Sequence, residues 1–290
     1  MKSGVQHKSI YRVLSVILLV ILAFLFVFPL YWIVTGAFKT TQEINSVTPV
    51  WFPSTWTLDN FTRLFSRRTA PLFPMGPVGP AAIRWLVNTV FMAVAAMVLT
   101  CITASMAGYA LAKKRFRGRA ILFGLIVCAM ALPKQVILIP LIREISVLGL
   151  YDNIWAVIFP TVGWPFGVFL MKQFSESIPG EILEAARIDG ANEARTFATI
   201  VVPMVKPGIG ALAIFTFINS WNDYFMQLIM LSSNNNYTIS LGISTLQAET
   251  SVDTGMLMAG AALAAAPIII IFLIFQKYFT QGITMGAVKG

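Results

Sequence analysis

Long apolar runs alternate with short polar stretches along the whole chain. Residues 13–38, 85–112, 153–171 and 254–276 contain no Asp, Glu, Lys or Arg, and 120–142 and 207–231 carry one charge each, Lys134 and Asp223. A helix of ~20 apolar residues crosses a bilayer, and these runs reach or approach that length. The pattern predicts an all-α integral membrane protein with six transmembrane helices. A tail (1–12) precedes the first span, a loop (39–84) joins it to a core (85–276), and a second tail (277–290) closes the chain. The first run exceeds a signal-peptide core, and no small-x-small cleavage site follows it, so it reads as a retained span in which Pro29 introduces a kink.

Between the fourth and fifth runs the pattern changes. Pro179 suits a helix start, and Glu181, Glu184 and Arg187 follow at helical spacing. Gly190 stands where a left-handed stop is needed, after which a second helical pattern ends at Pro203. The stretch 179–207 therefore reads as helix–turn–helix, too charged to lie in lipid. Ala185 and Ala186 flatten part of its first helix, leaving room for another protein to approach the backbone.

The polar loops divide into kinds. In 39–84, Trp51 and Trp56 suit a membrane interface, and 58–65 reads as a short amphipathic helix, whereas 70–80 holds four prolines and two glycines and should form an irregular loop rather than a strand. Residues 232–253 read as a polar connection. Ala104, Gly108 and Ala112 recur every four positions in the second span, which suits close helix packing. Pro133 and Pro140 should bend or shorten the third span, and Pro160 and Pro165 interrupt the fourth. Lys134 either snorkels to the outer interface, its preferred placement, or faces the bundle interior.

Composition agrees with the pattern: 57% of the residues are hydrophobic, 11% are charged, and mean hydropathy is +0.78, against ~25% charged in soluble domains. The net charge of +9 does not indicate nucleic acid, because the basic residues gather at the ends of apolar runs. With both termini placed in the cytoplasm, 14 of the 21 Lys and Arg residues fall on that side, five of them between Lys113 and Arg119. That cluster also suits lipid head groups. Cys101 and Cys128 lie in apolar runs and read as buried thiols, and the single histidine, His7, leaves no histidine triad or metal cluster.

The spaced string Glu184-Ala-Ala-Arg-Ile-Asp189-Gly190-Ala191, followed by Phe197, Ile200, Pro203 and Pro207, resembles the EAA signature of bacterial ABC importer permeases. Its fuller form is similar to the carbohydrate-uptake branch, close to the second permease subunit of maltose-type transporters. The resemblance implies the type I importer permease fold, with 85–276 as its core and a cytoplasmic coupling helix between spans 4 and 5. It implies a second permease, a dimer of ATPase subunits, an extracytoplasmic solute-binding protein and a sugar substrate, in a bacterial plasma membrane. Glu184, Ala185, Ala186, Asp189, Gly190, Ala191, Phe197 and Pro203 would then make the ATPase coupling surface. Gly282, Gly286 and Gly290 would let the tail reach the ATPase, against the simpler reading of a frayed terminus.

No Gly-x-x-x-x-Gly-Lys-Ser/Thr sequence is present to cradle phosphates, so ATP and Mg belong to the partner ATPase and this chain binds no cofactor and is not itself an enzyme. Asn219, Trp221, Asn222 and Asp223 form the most polar cluster inside any span. Amide, carboxylate and aromatic groups suit sugar hydroxyls and ring faces, so these four are the candidate substrate path, although polar residues in spans also tie helix to helix. A self-contained ion-coupled transporter is the alternative, and it would need ionisable relays in several spans. An integral membrane enzyme lacks a histidine or metal constellation. The topology predicts that Glu184→Cys, in a background lacking Cys101 and Cys128, stays unlabelled by a membrane-impermeant thiol reagent in intact cells and reacts once the membrane is permeabilised; labelling of intact cells would overturn the orientation.

Overall fold

The computed structural model describes residues 3–71, 78–247 and 253–287, with side chains over 11–67, 78–247 and 253–276. Helix α1 (Ser3–Ala37) continues through Pro29 without interruption. The following segment holds α2 (Thr41–Ile44), α3 (Asp59–Ser66) and an antiparallel ribbon of β1 (Arg68–Pro71) and β2 (Val78–Pro80). Next come α4 (Ala81–Lys113), α5 (Arg119–Ala129), α6 (Lys134–Val147), α7 (Trp155–Val162) and α8 (Pro165–Glu176). The charged stretch supplies α9 (Gly180–Ile188), α10 (Glu193–Thr196), a π-helical turn at Phe197–Val201 and α11 (Val202–Met204). The chain closes with α12 (Lys206–Asn222), α13 (Tyr224–Met230), α14 (Ile239–Gln247) and α15 (Thr254–Ala287).

Among the described residues, four stretches are long and apolar enough to cross a membrane, at 11–37, 81–113, 155–176 and 254–276. Counting each of two bent pairs as one span brings the number to six: α5 with α6 at 104°, and the limb Glu193–Met204 with α12 at 79°. The third span breaks before Pro133, while Pro140 is accommodated inside α6. The fourth breaks at Gly163–Trp164, and the fifth run stops being one helix at Asp223.

Helix α4 is the central post, packed against α7, α8, α12 and α14. Its small residues permit this. A Cβ on Gly108 would lie 2.6 Å from backbone atoms of Met171 and Lys172, and one on Gly167 of α8 would meet Ala104 at 3.3 Å. Three apolar clusters make the core: one around Trp85, Phe217, Trp221 and Met256, a second around Met92, Ile158 and Met230, and a third around Tyr109, Met171 and Val205 that takes in Leu183 of α9.

The 39–84 segment is held by side chains that complete the end of α1. Buried Asn60 donates its amide to the carbonyls of Ala37 and Lys39 at 2.9 and 2.8 Å. Arg63 of α3, the amphipathic helix, reaches Asp253 at 2.8 Å, just before α15. The Tyr31 hydroxyl donates to the Trp51 carbonyl at 2.5 Å, folding the exposed Trp51–Trp56 edge back on α1. Thr40 and Glu43 form a capping box on α2. Backbone N–H groups of Thr40 and Ser54 hold the Glu43 carboxyl at a pKa of about 2, from an ordinary 4.5.

The structure departs from the sequence reading at three places in the scaffold. Residues 70–80 are not wholly irregular, since Pro71 and 78–80 belong to the ribbon, where prolines at the ends of a two-stranded edge have no ladder N–H to supply. The 232–253 connection contains α14, with Ile239, Leu241 and Leu246 buried. Gly242 lets that helix lie on the Trp85 ring, where a Cβ would come within 2.2 Å of ring carbons. The thiols are not buried: Cys128 is exposed on the apolar surface and Cys101 is half-buried.

Two outcomes follow for stability. Gly108→Ala should destabilise by about 1–3 kcal/mol through overpacking against the α8 backbone, whereas Gly124→Ala, which meets nothing within 4 Å, should not; thermal unfolding in detergent compares them. A depressed carboxyl pKa stabilises the fold above the unfolded value of about 4.5, and that contribution is lost as pH falls toward about 2. Glu43→Gln should therefore lower the Tm at neutral pH, with the gap to wild type closing as the pH drops through that window.

Candidate functional site

The charged stretch folds as the helical hairpin its sequence suggests, and its turn has a defined chemistry. Pro179 is the capping residue just before α9 rather than part of its first turn. At the other end Gly190 adopts φ +76°. Its N–H donates to the Arg187 carbonyl at 3.1 Å and that of Ala191 to Ala186 at 2.9 Å. Those two bonds are the Schellman arrangement, which requires a left-handed residue after the helix. Asn192 then caps α10, its side chain accepting from the Arg195 N–H at 2.8 Å. The return limb passes through the π-helical turn because Pro203 has no N–H for the carbonyl of Thr199.

One face of the hairpin is fixed to the bundle. Leu183 packs in the cluster around Tyr109, Met171 and Val205, Ala186 is buried as well, and the Phe197 ring lies 5.7 Å from that of Tyr109. Glu193 gathers Lys114, Arg187 at 3.3 Å and the Tyr109 hydroxyl at 3.4 Å, with the Lys114 ammonium foremost in holding its carboxyl below the usual range. Lys113 at the end of α4 reaches the carbonyl of Ile178 at 2.6 Å, just before α9, while Lys114 holds Glu193 at the start of the return limb. The opposite face stands free: Glu184, Ala185, Asp189 and Gly190 are exposed, and Ile188 is 86% exposed. Ala186 is therefore not part of the flat outward surface expected from the sequence. It faces its own protein, because only Ala185 of the pair falls on the free side. Ala191 and Phe197 are half-buried and Pro203 is exposed.

The second candidate region lies where three spans break. Lys134 at the start of α6 and Asp223 between α12 and α13 form an ion pair at 2.7 Å, so Lys134 faces the interior rather than snorkelling to an interface. Beside them Thr161 and Trp164 from the α7–α8 break and Asn219 of α12 line a cavity of about 60 Å³. Asp223 also caps α13 by accepting from the Met226 N–H at 3.4 Å. The four expected path residues are thus not one site. Asn219 and Asp223 line the cavity. Trp221 is 1% exposed and packs on Phe217 within the core. Asn222 is exposed, its amide turned back to the Ile218 carbonyl at 3.0 Å. The sequence reading missed Trp164 and Lys134 as cavity walls; the signal available was a cation beside a proline in one span and an anion in another.

Of the tail residues, Gly282 and Gly286 fall in the backbone of α15, and Gly290 lies outside the described residues.

This arrangement has close counterparts. The arabinooligosaccharides transport system permease protein AraQ of Halalkalibacterium halodurans is 35% identical over 271 residues, 93% of each chain. The maltodextrin transport system permease protein MdxG of Bacillus subtilis is 31% identical over 98% of each. A solved bacterial ABC transporter involved in the import of the acidic polysaccharide alginate shares the fold, with a TM-score of 0.79 at 23% identity over 94% of this chain and 98% of that one. The family described as the binding-protein-dependent transport system inner membrane component matches residues 104–285, from within α4 through the three helix breaks and the hairpin into α15. The chain belongs to that family and is a permease of an ABC importer, a transport component rather than a catalytic one.

Proposed function

We propose that this permease carries a sugar or oligosaccharide into the cell, driven by ATP hydrolysis in a separate subunit. Both termini and the hairpin face the cytoplasm in this reading, and the chain works beside a second permease, a dimer of ATPase subunits and an extracytoplasmic solute-binding protein. ATP and Mg are held by the ATPases and no cofactor by this chain. The relatives that carry arabinooligosaccharides and maltodextrin support the substrate class.

The observation that carries the coupling role is the asymmetry of the hairpin. Its inner face is locked to the bundle by Leu183, Ala186 and the Glu193 contacts, while its outer face leaves Ile188 exposed beside Glu184 and Asp189. An isoleucine held in water on a rigid charged ridge suits burial in a partner's cleft. A push on that ridge moves α8 and α12 with it as a rigid body, which is how closure of the ATPase dimer would exchange inward for outward access. Phe197, half-buried beside Tyr109, supports the return limb, and Pro203 stands exposed on it. The tail through Gly282, Gly286 and Gly290 is assigned to the ATPase side by the same resemblance. Asn219 and Asp223 mark the substrate path.

Gly190 tests the coupling assignment. Its left-handed φ suits Gly and is tolerated by Asn, and the space around it within the chain is open. Gly190→Asn should retain uptake, whereas Gly190→Trp should abolish uptake and co-purification of the ATPase with membrane insertion intact. Full uptake by Gly190→Trp would overturn the coupling role, and ATP-independent uptake by the chain alone in liposomes would favour ion-coupled transport.

A further inference from the structure

The loop between α4 and α5 carries more positive charge than the hairpin uses. Five of the seven residues 113–119 are basic, and no Asp or Glu lies between Asp59 and Glu144 to offset them in the adjoining sequence. Three of the five are occupied. Lys113 donates to the carbonyls of Glu176 at 3.1 Å and Ile178 at 2.6 Å, Lys114 pairs with Glu193, and Arg119 donates to the Lys114 carbonyl at 3.2 Å. Arg115 and Arg117 are exposed and make no hydrogen bond or ion pair among the described residues. Phe116 between them is 45% exposed and belongs to none of the three apolar clusters. A turn closed by the Arg119 N–H on the Phe116 carbonyl at 3.4 Å, with Gly118 at φ +83°, leads from these residues into α5. That helix buries no residue: it meets α8 through the Phe123 and Phe169 rings, 6.2 Å apart, and leaves Ile121, Leu122 and Leu125 exposed. Because α4 and α5 both belong to spans, the loop lies at a membrane surface whichever way the chain is oriented.

We propose that Arg115, Phe116 and Arg117 bind an anionic phospholipid, its phosphate held by the two guanidiniums and an acyl chain lying along the exposed apolar side of α5. Charge complementarity selects this occupant. A guanidinium presents paired donors that match phosphate oxygens, and a zwitterionic headgroup would bring its own cation against two others. The general bias of basic residues toward one side of a membrane needs charge alone and gives no reason for an exposed phenylalanine between two arginines. An aromatic ring beside cations suits the boundary between headgroups and chains. The neighbours of the site give the lipid a consequence. Lys113 and Lys114 hold the chain just before α9 and the start of the return limb, so a headgroup that fixes Arg115 and Arg117 also steadies the brace of the hairpin. Where the hairpin couples to an ATPase, uptake then depends on anionic lipid.

The test titrates the whole purified transporter in detergent with phosphatidylglycerol or phosphatidylcholine and counts bound lipid by native mass spectrometry. Wild type should bind phosphatidylglycerol in preference to phosphatidylcholine. Each arginine near an anionic surface contributes roughly fivefold in affinity, so Arg115→Gln with Arg117→Gln should weaken phosphatidylglycerol binding by about 25-fold. Arg115→Lys with Arg117→Lys keeps the charge and should weaken it less. Glycerol 3-phosphate in solution should not displace the lipid, because it has no chain to lay on α5. Equal binding of the two lipids by wild type, or unchanged phosphatidylglycerol binding by the Gln pair, would overturn the site. Displacement by glycerol 3-phosphate would overturn it too, marking a soluble phosphate ligand, and loss of the ATPase from the Gln pair with lipid binding unchanged would assign the arginines to that subunit instead. In proteoliposomes, wild-type uptake should rise when phosphatidylglycerol is added to phosphatidylcholine, and that of the Gln pair should not. Lipid binding requires neither sugar nor ATP, so its failure leaves the transport reading standing, whereas lipid-independent uptake with binding intact keeps the site and overturns its effect on the hairpin.

Discussion

Lipid offers no hydrogen bonds, and most of this architecture answers that constraint. Among the described residues, 11–37, 81–113 and 254–276 keep backbone groups paired by running as unbroken helix, whereas spans three, four and five are interrupted. The breaks in spans three, four and five are therefore brought together rather than scattered. Each alone would expose carbonyls and amides to hydrocarbon. Collected around Lys134, Thr161, Asn219 and Asp223, they share one small cavity whose other walls are apolar. The ion pair follows from the same logic, since neither charge would survive alone in that setting without a partner or water.

The hairpin solves a different problem with equally local means. As the lever proposed for it, it would need to be stiff, because a compliant lever dissipates displacement instead of transmitting it. A Schellman turn at Gly190, a capped start at Asn192 and the buried pair Leu183 and Ala186 leave little freedom in its limbs. The close approach of α4 to α8 at Gly108 continues that stiffness into the bundle, because backbone packed on backbone has few soft side chains to absorb movement.

The sequence made legible whatever depends on local chemistry. Long apolar runs, the glycine after Arg187, the prolines at 133 and 203 and the small-residue repeat of α4 each act on their immediate neighbours, and each appears in the structure as its chemistry requires. Facing was less legible. Ala185 and Ala186 look alike in sequence, and only the packing of Leu183 shows which one turns inward. Trp221 sits among polar residues yet belongs to the core, because a single helix residue rotates a side chain by about 100° around the axis. Lys134 needed a partner 89 positions away before its direction was settled. Helix α14 was hidden because Asn234–Asn236 and the acidic end of the loop outweigh its short apolar face.

The attachment of α1 bears on how the molecule divides its labour. None of the most apolar part of this helix is buried, and it packs chiefly on α15, with Asn60 holding the carbonyls of Ala37 and Lys39 at one extremity. The matched family region begins at residue 104, well beyond it. A mast stayed by α15 and by the 39–84 segment, and otherwise bare, stands outside the compact inner frame that α4 makes with α7, α8 and α12.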